Sequence, residues 1–209
     1  VRVLEYESDV TIDDIYISVQ IPYRQEIAVD VDGIYALTPL NVQNTGETQG
    51  PDFDADYRYQ LNRDENGTQL VLKDSTAVTP MYFLMTADRE QEDAGIYGQI
   101  SVKEGLMQGT LFNATGLDFK ECMVIFGDQR AQLGPCAEQL TVSDTALTAE
   151  STGSNTLLDT FVDSLKQTDT PLFVGICEDE DADFIRSGDN WDLSGVTIVV
   201  APVMERNGG

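Results

Sequence analysis

The sequence predicts a mainly β protein: an antiparallel β-sandwich or jelly-roll-like body with hairpins, plus one amphipathic helix packed on the sheet near the C-terminus. Three observations predict it. Apolar and polar residues alternate strictly over several short runs, the period of a half-buried strand. Asp-Gly and Asn-Gly pairs stand between such runs, where a tight turn needs positive φ. A helical period appears in one place, between Ser154 and Pro171.

The first run puts Ile15, Ile17, Val19 and Ile21 on one face and Tyr16, Ser18 and Gln20 on the other, and Pro22 ends it. Ile27, Val29 and Val31 lead into Asp32-Gly33, and Ile34 to Leu37 lead out. This reads as a hairpin with Val31 opposite Ile34 and Val29 opposite Ala36. The stretch 41–55, rich in Asn, Thr, Gly and Asp, reads as a long surface loop. A second hairpin follows, with Tyr57, Tyr59 and Leu61 before a turn at Asp64-Glu65-Asn66-Gly67, and Leu70 and Leu72 after it. Met81 to Met85 is short and continuously apolar, as in a strand buried on both faces. Ile96 to Val102 and Leu106 to Phe112 flank Lys103-Glu104-Gly105 as a third hairpin. Phe119 to Phe126 is a further strong strand, Leu140 to Val142 a weaker one, and Val196 to Val203 the last.

Leu157, Leu158, Phe161, Val162 and Leu165 gather on one stripe of a helix, capped at Ser154 or Asn155 and stopped by Thr170-Pro171. Leu172 to Ile176 then form a buried strand, so the stripe is expected to pack on the sheet that this strand joins. The expected organisation is a β-rich body over 1–145 and a helix-plus-strand portion over 146–209, either as a second unit or as part of the same domain.

The charge is the least ordinary property. Against 37 acidic residues stand 12 basic ones, a net charge of −25, and the acids are spread along the chain. Such an excess repels itself and is relieved by salt or bound cations, which points to saline or extracellular surroundings. Nucleic acid is disfavoured as a partner, since no run of Lys and Arg exists to neutralise phosphates. No apolar run approaches the roughly 20 residues of a membrane helix, so no membrane insertion by this segment is expected.

The chain contains no histidine, which removes Ser-His-Asp and Cys-His catalysis. No phosphate-binding or dinucleotide-binding glycine motif is present. Cys122, Cys136 and Cys177 lack metal-ligand spacing. Cys122 and Cys136 lie close enough in sequence for a disulfide across turn-like residues, while the apolar company of Cys122 suits a buried free thiol equally.

The chemistry that remains is carboxylate chemistry. Asp52, Asp54 and Asp56 form a D-x-D-x-D array whose alternate spacing can turn three carboxylates on one calcium ion, although the glycine and glutamate of an EF-hand loop are missing. A solvated acidic loop has the same composition, and so does the run from Glu178 to Asp183. Asn66-Gly67-Thr68 and Asn113-Ala114-Thr115 match the N-glycosylation triplet, a short pattern that chance supplies.

The resulting expectation is a non-catalytic extracellular or surface structural and binding module, calcium-stabilised and salt-adapted, that meets a protein or glycan at a surface or copies of itself. A viral or filament coat subunit is the first alternative, and a glycoside hydrolase using two carboxylates the second.

Overall fold

The computed structural model describes residues 1–7, 10–19, 26–40, 59–72, 81–90, 94–148, 165, 170–179, 185–187 and 195–204. The fold is mainly β, with no helix among the described residues. In chain order the strands are β1 (Arg2–Glu7), β2 (Val10–Val19), β3 (Ile27–Asp32), β4 (Ala36–Leu40), β5 (Tyr59–Asp64), β6 (Gly67–Leu72), β7 (Met81–Glu90) and β8 (Ile96–Lys103). They continue as β9 (Leu106–Asn113), β10 (Phe119–Phe126), β11 (Gln129–Cys136), β12 (Gln139–Ala146), β13 (Leu172–Asp179), β14 (Ile185–Ser187) and β15 (Gly195–Met204).

The chain forms two compact units. The first comprises 1–2, 13–88 and 179–195; the second comprises 3–12, 89–178 and 196–209. In the first unit a four-stranded sheet runs β14-β3-β6-β5, while β2, β7 and β4 lie side by side in that order. Alternation sends Val29, Val31, Leu70 and Leu72 of the four-stranded sheet into the same core as Ile15, Leu37, Phe83 and Met85. Tyr59 meets Phe83 edge-to-face at 5.6 Å across this core.

The β5-β6 hairpin forms as its pattern predicts, with Asp64 opposite Gly67 and Tyr59 opposite Leu72. Asp64 closes the turn, its Oδ1 accepting from the backbone N–H of Asn66 at 2.7 Å and of Gly67 at 3.1 Å. Tyr57 lies outside the described residues.

The turn at Asp32-Gly33 differs from expectation. Tyr35 N–H donates to Asp32 C=O at 3.0 Å, and Asp32 Oδ1 accepts from Ile34 N–H at 3.1 Å. The chain does turn there, but β3 pairs with β6 and β4 pairs with β7, so the two arms are no hairpin. The side-chain parity also changes: Tyr35 and Leu37 are buried, whereas Ile34 is 56% exposed. Alternation shows which residues seek a core without showing which strand supplies the backbone partner. Here both arms face one core from different sheets.

In the second unit the strands run β11-β10-β13-β15-β1 and, beside them, β8, β9 and β12. The β8-β9 hairpin closes at Lys103 opposite Leu106, with Glu104 at φ 54° and Gly105 at φ 75°, both left-handed as a two-residue turn of this kind requires. One core joins Met107, Leu111 and Val142 to Val124, Phe173 and Val199. The other face of β10, β13 and β15 carries Met123, Ile125, Val174, Ile176, Ile198 and Val200 in a second cluster. These strands are apolar residue after residue because both of their faces are buried.

Leu165 packs against that second cluster, as does Leu172. The remainder of the expected helix, 154–164 and 166–169, lies outside the described residues.

Candidate functional site: a charge-free sheet face

The outward face of β8, β9 and β12 follows from register. Tyr97 stands opposite Phe112, and Phe112 opposite Gln139; Gln99 stands opposite Thr110, and Thr110 opposite Thr141; Ser101 stands opposite Gln108. Residues between them, such as Ile96, Met107, Leu111 and Val142, point into the core. Directly opposed residues share a face, so these eight side chains form three cross-strand rows.

None of the eight carries a charge, in a chain of net charge −25. Gln99, Ser101, Gln108, Gln139 and Thr141 are exposed, Tyr97 and Thr110 half-buried, and Phe112 is 36% exposed. Charge begins only at the margin, where Gln108 donates from Nε2 to Oδ1 of Asp144, and where Lys103 ends β8. The face is thus a set of amides and hydroxyls beside two aromatic rings.

Two glycines stand in the ladder beneath the face, Gly98 opposite Leu111 and Gly109 opposite Ile100. A Cβ at Gly98 would lie 2.1 Å from the Thr110 carbonyl oxygen, and one at Gly109, where φ is 150°, would lie 2.0 Å from that of Gln99. Only glycine fits there. A hollow is lined by Gly98, Gln99, Gly109, Thr110, Phe112 and Gln139, and a second takes in Gln99, Ser101 and Gln108 together with Ile100, Pro171 and Val203.

The outward face of β3, β6 and β5 is finished differently. It carries Asp30, Asp32 and Asp64, and its amides are joined head to tail. Gln60 Nε2 donates to Asn62 Oδ1 at 2.7 Å, Asn62 Nδ2 to Gln69 Oε1 at 3.3 Å, and Gln69 Nε2 to Asp30 Oδ1 at 2.9 Å.

The buried polar groups are structural. Asp13 is fully buried and accepts from Arg2 Nε at 2.9 Å, Arg2 Nη2 at 2.7 Å and Tyr35 Oη at 2.7 Å. A carboxylate so enclosed is out of reach of a substrate. The three cysteines are free thiols and all buried. Burial pushes the Cys122 thiol well above its usual range, reinforced by Cys136, to which it donates a hydrogen bond; burial raises Cys136 as well. Thiols held protonated are poor nucleophiles and poor metal ligands.

Asp52, Asp54 and Asp56 lie outside the described residues. Among the described residues no group of three or more Cys, Asp or Glu is placed to hold a metal ion. Asn66 is exposed at the tip of the β5-β6 turn. Asn113 is engaged: its amide donates to the carbonyls of Leu117, at 2.7 Å, and Ala137, and accepts from the Thr115 hydroxyl at 2.6 Å.

The charge-free face escaped the sequence reading although its hairpin was predicted. Its signal is the lack of charge at alternate outward positions of three strands, which register alone brings together.

No curated protein and no solved structure matches this chain. A family model does match, over residues 95–205, and its description is a domain of unknown function, DUF8725. That span is just over half of the sequence, and it contains β8 to β12 and with them the whole charge-free face. The chain therefore belongs to the DUF8725 family.

Proposed function

We propose that this protein is a non-catalytic binding module of the extracellular space or of a surface, and that it docks its partner on the outward face of β8, β9 and β12. The observation that carries this reading is the missing charge. Solubility and self-repulsion are served by charge elsewhere on the molecule, and a binding surface has to shed its water and its ions before it can be covered. Amides and hydroxyls hold a partner by directed hydrogen bonds, and the two rings add apolar contact.

The supporting scaffold is a β-sandwich of the jelly-roll kind, rigid under the face because its strands pack over a common core. Histidine-based catalysis is set aside because the chain has no histidine, and the buried Asp13 and thiols are unsuited to attack. Calcium at Asp52, Asp54 and Asp56 remains part of this reading as a stabiliser. A melting curve tests it, since an ion present at about 100 times its Kd adds about 2.7 kcal/mol, and the gain should vanish in Asp54→Asn.

An array of purified glycans and extracellular proteins tests the docking face. Wild type should be held by at least one array feature that does not hold Gln99→Glu, a variant of the same shape with a charge placed in the middle row. Equal retention of both chains across the array overturns the reading.

A further inference from the structure

From this reading of the face we infer the class of its partner: a neutral polysaccharide laid along the sheet, with sugar rings against Tyr97 and Phe112 and hydroxyls on Gln99, Thr110, Gln139 and Thr141. Three arguments lead there.

The first is charge. An acidic polymer gains nothing from a face without cations, and a basic partner would be drawn to the carboxylates elsewhere on this chain rather than to its neutral face. A neutral ligand has no reason to avoid it.

The second is size. Adjacent strands lie about 4.8 Å apart and alternate residues about 6.8 Å apart, so the eight side chains cover about 260 Å². A stable protein interface needs about 800 Å² from each partner, with an apolar centre. The face is too small and too polar for a second copy or a protein ligand, and suits a short run of sugar rings.

The third is the kind of contact. A sugar ring has an apolar face of C–H groups and an edge of hydroxyls that both donate and accept. Aromatic rings match the first, and primary amides, which also donate and accept, match the second. Tyr97 and Phe112 are paired directly across the β8-β9 ladder, and Phe112 lines the hollow together with Gln99, Thr110 and Gln139.

Affinity electrophoresis tests the assignment, because a chain of net charge −25 migrates fast in a native gel. The probes are glucan, mannan, galactan and xylan cast into separate gels, with alginate as the acidic control. Wild type should be slowed by at least one neutral polymer and not by alginate, and Phe112→Ala and Gln99→Ala should each recover most of the mobility seen in a blank gel. Gln60→Ala, on the other sheet, should be slowed as wild type is. Thermal melts of all three variants separate lost binding from lost folding.

If no neutral polymer slows wild type while Gln99→Glu still changes retention on the array, the glycan assignment falls and the docking face stands. If a neutral polymer slows wild type and the face variants alike, both fall.

Discussion

Two three-strand surfaces in this protein are built on one plan and finished in opposite ways. On β3-β6-β5 the outward rows hold Asp30, Asp32 and Asp64, and the amides between them are spent on one another. On β8-β9-β12 the outward rows hold amides, hydroxyls and two rings without one charge. The inward residues of both are ordinary core. Burial alternation therefore makes the strand, and the choice of outward residues decides how much charge its surface presents.

The sharpest way to break this comparison is to damage the body beneath one face and ask whether the other responds. Arg2→Ala strips the buried Asp13 of its guanidinium in the first unit and should cost about 3–5 kcal/mol, since a buried carboxylate loses the cation that neutralises it while keeping the Tyr35 hydroxyl. Urea unfolding followed by Trp191 fluorescence and by circular dichroism reads the loss. A cost below about 1 kcal/mol would show that Asp13 finds another partner.

Gly109→Ala attacks the neutral face itself. With φ at 150° and the Gln99 carbonyl 2.0 Å from the new Cβ, the expected cost is about 2–4 kcal/mol. Gly67→Ala, at φ 151° and 2.6 Å from the Val31 carbonyl, is the matching change under the acidic face and should fall in the same range. Two similar losses would place the difference between the faces in their side chains alone.

The thiols distinguish the two units by pH. Burial raises Cys122 and Cys136 above the ordinary value of 9.0, so the folded chain keeps protons that the unfolded chain releases. Their contribution is fully present below about pH 9 and is lost as the pH rises toward the folded values, by at most about 1.4 kcal/mol per pH unit for each thiol. Under reducing conditions the melting temperature should fall from about pH 9 upward, and less steeply in Cys122→Ala. Equal slopes would remove the thiols from the account.

The smallest effects compare the amides. Gln69→Ala cuts the ladder between Asp30 and Asn62 and should cost about 0.5–1.5 kcal/mol, whereas Gln99→Ala should stay within about 0.5 kcal/mol. The first amide is bonded within its own sheet face, and the second is the one the proposed function assigns to a ligand.

Much of the fold was legible because its signals are local. The turns at Asp64-Glu65-Asn66-Gly67 and Lys103-Glu104-Gly105 fix their hairpins through residues within one or two positions. The corner at Asp32-Gly33 is legible as a turn, but its two arms do not pair as the expected hairpin, because the pairing of β3 with β6 involves the distant stretch 67–72 and leaves no mark near Gly33. The site was half legible. Tyr97, Gln99 and Ser101 alternate in plain view, but their meeting with Gln139 and Thr141 depends on β9 pairing with β12, and β12 has a weak apolar pattern. The Asp52 to Asp56 array, by contrast, is visible without any fold at all.

Isosteric charge substitutions test most directly whether the neutral face, rather than the acidic one, binds. Isothermal titration with the neutral polymer that slows wild type most should be run on two isosteric variants, Gln99→Glu and Gln60→Glu. A charge at Gln99 should weaken binding on the order of tenfold or more, while the same charge at Gln60 should leave Kd within about twofold. Equal affinities for the two variants would contradict binding by the neutral face.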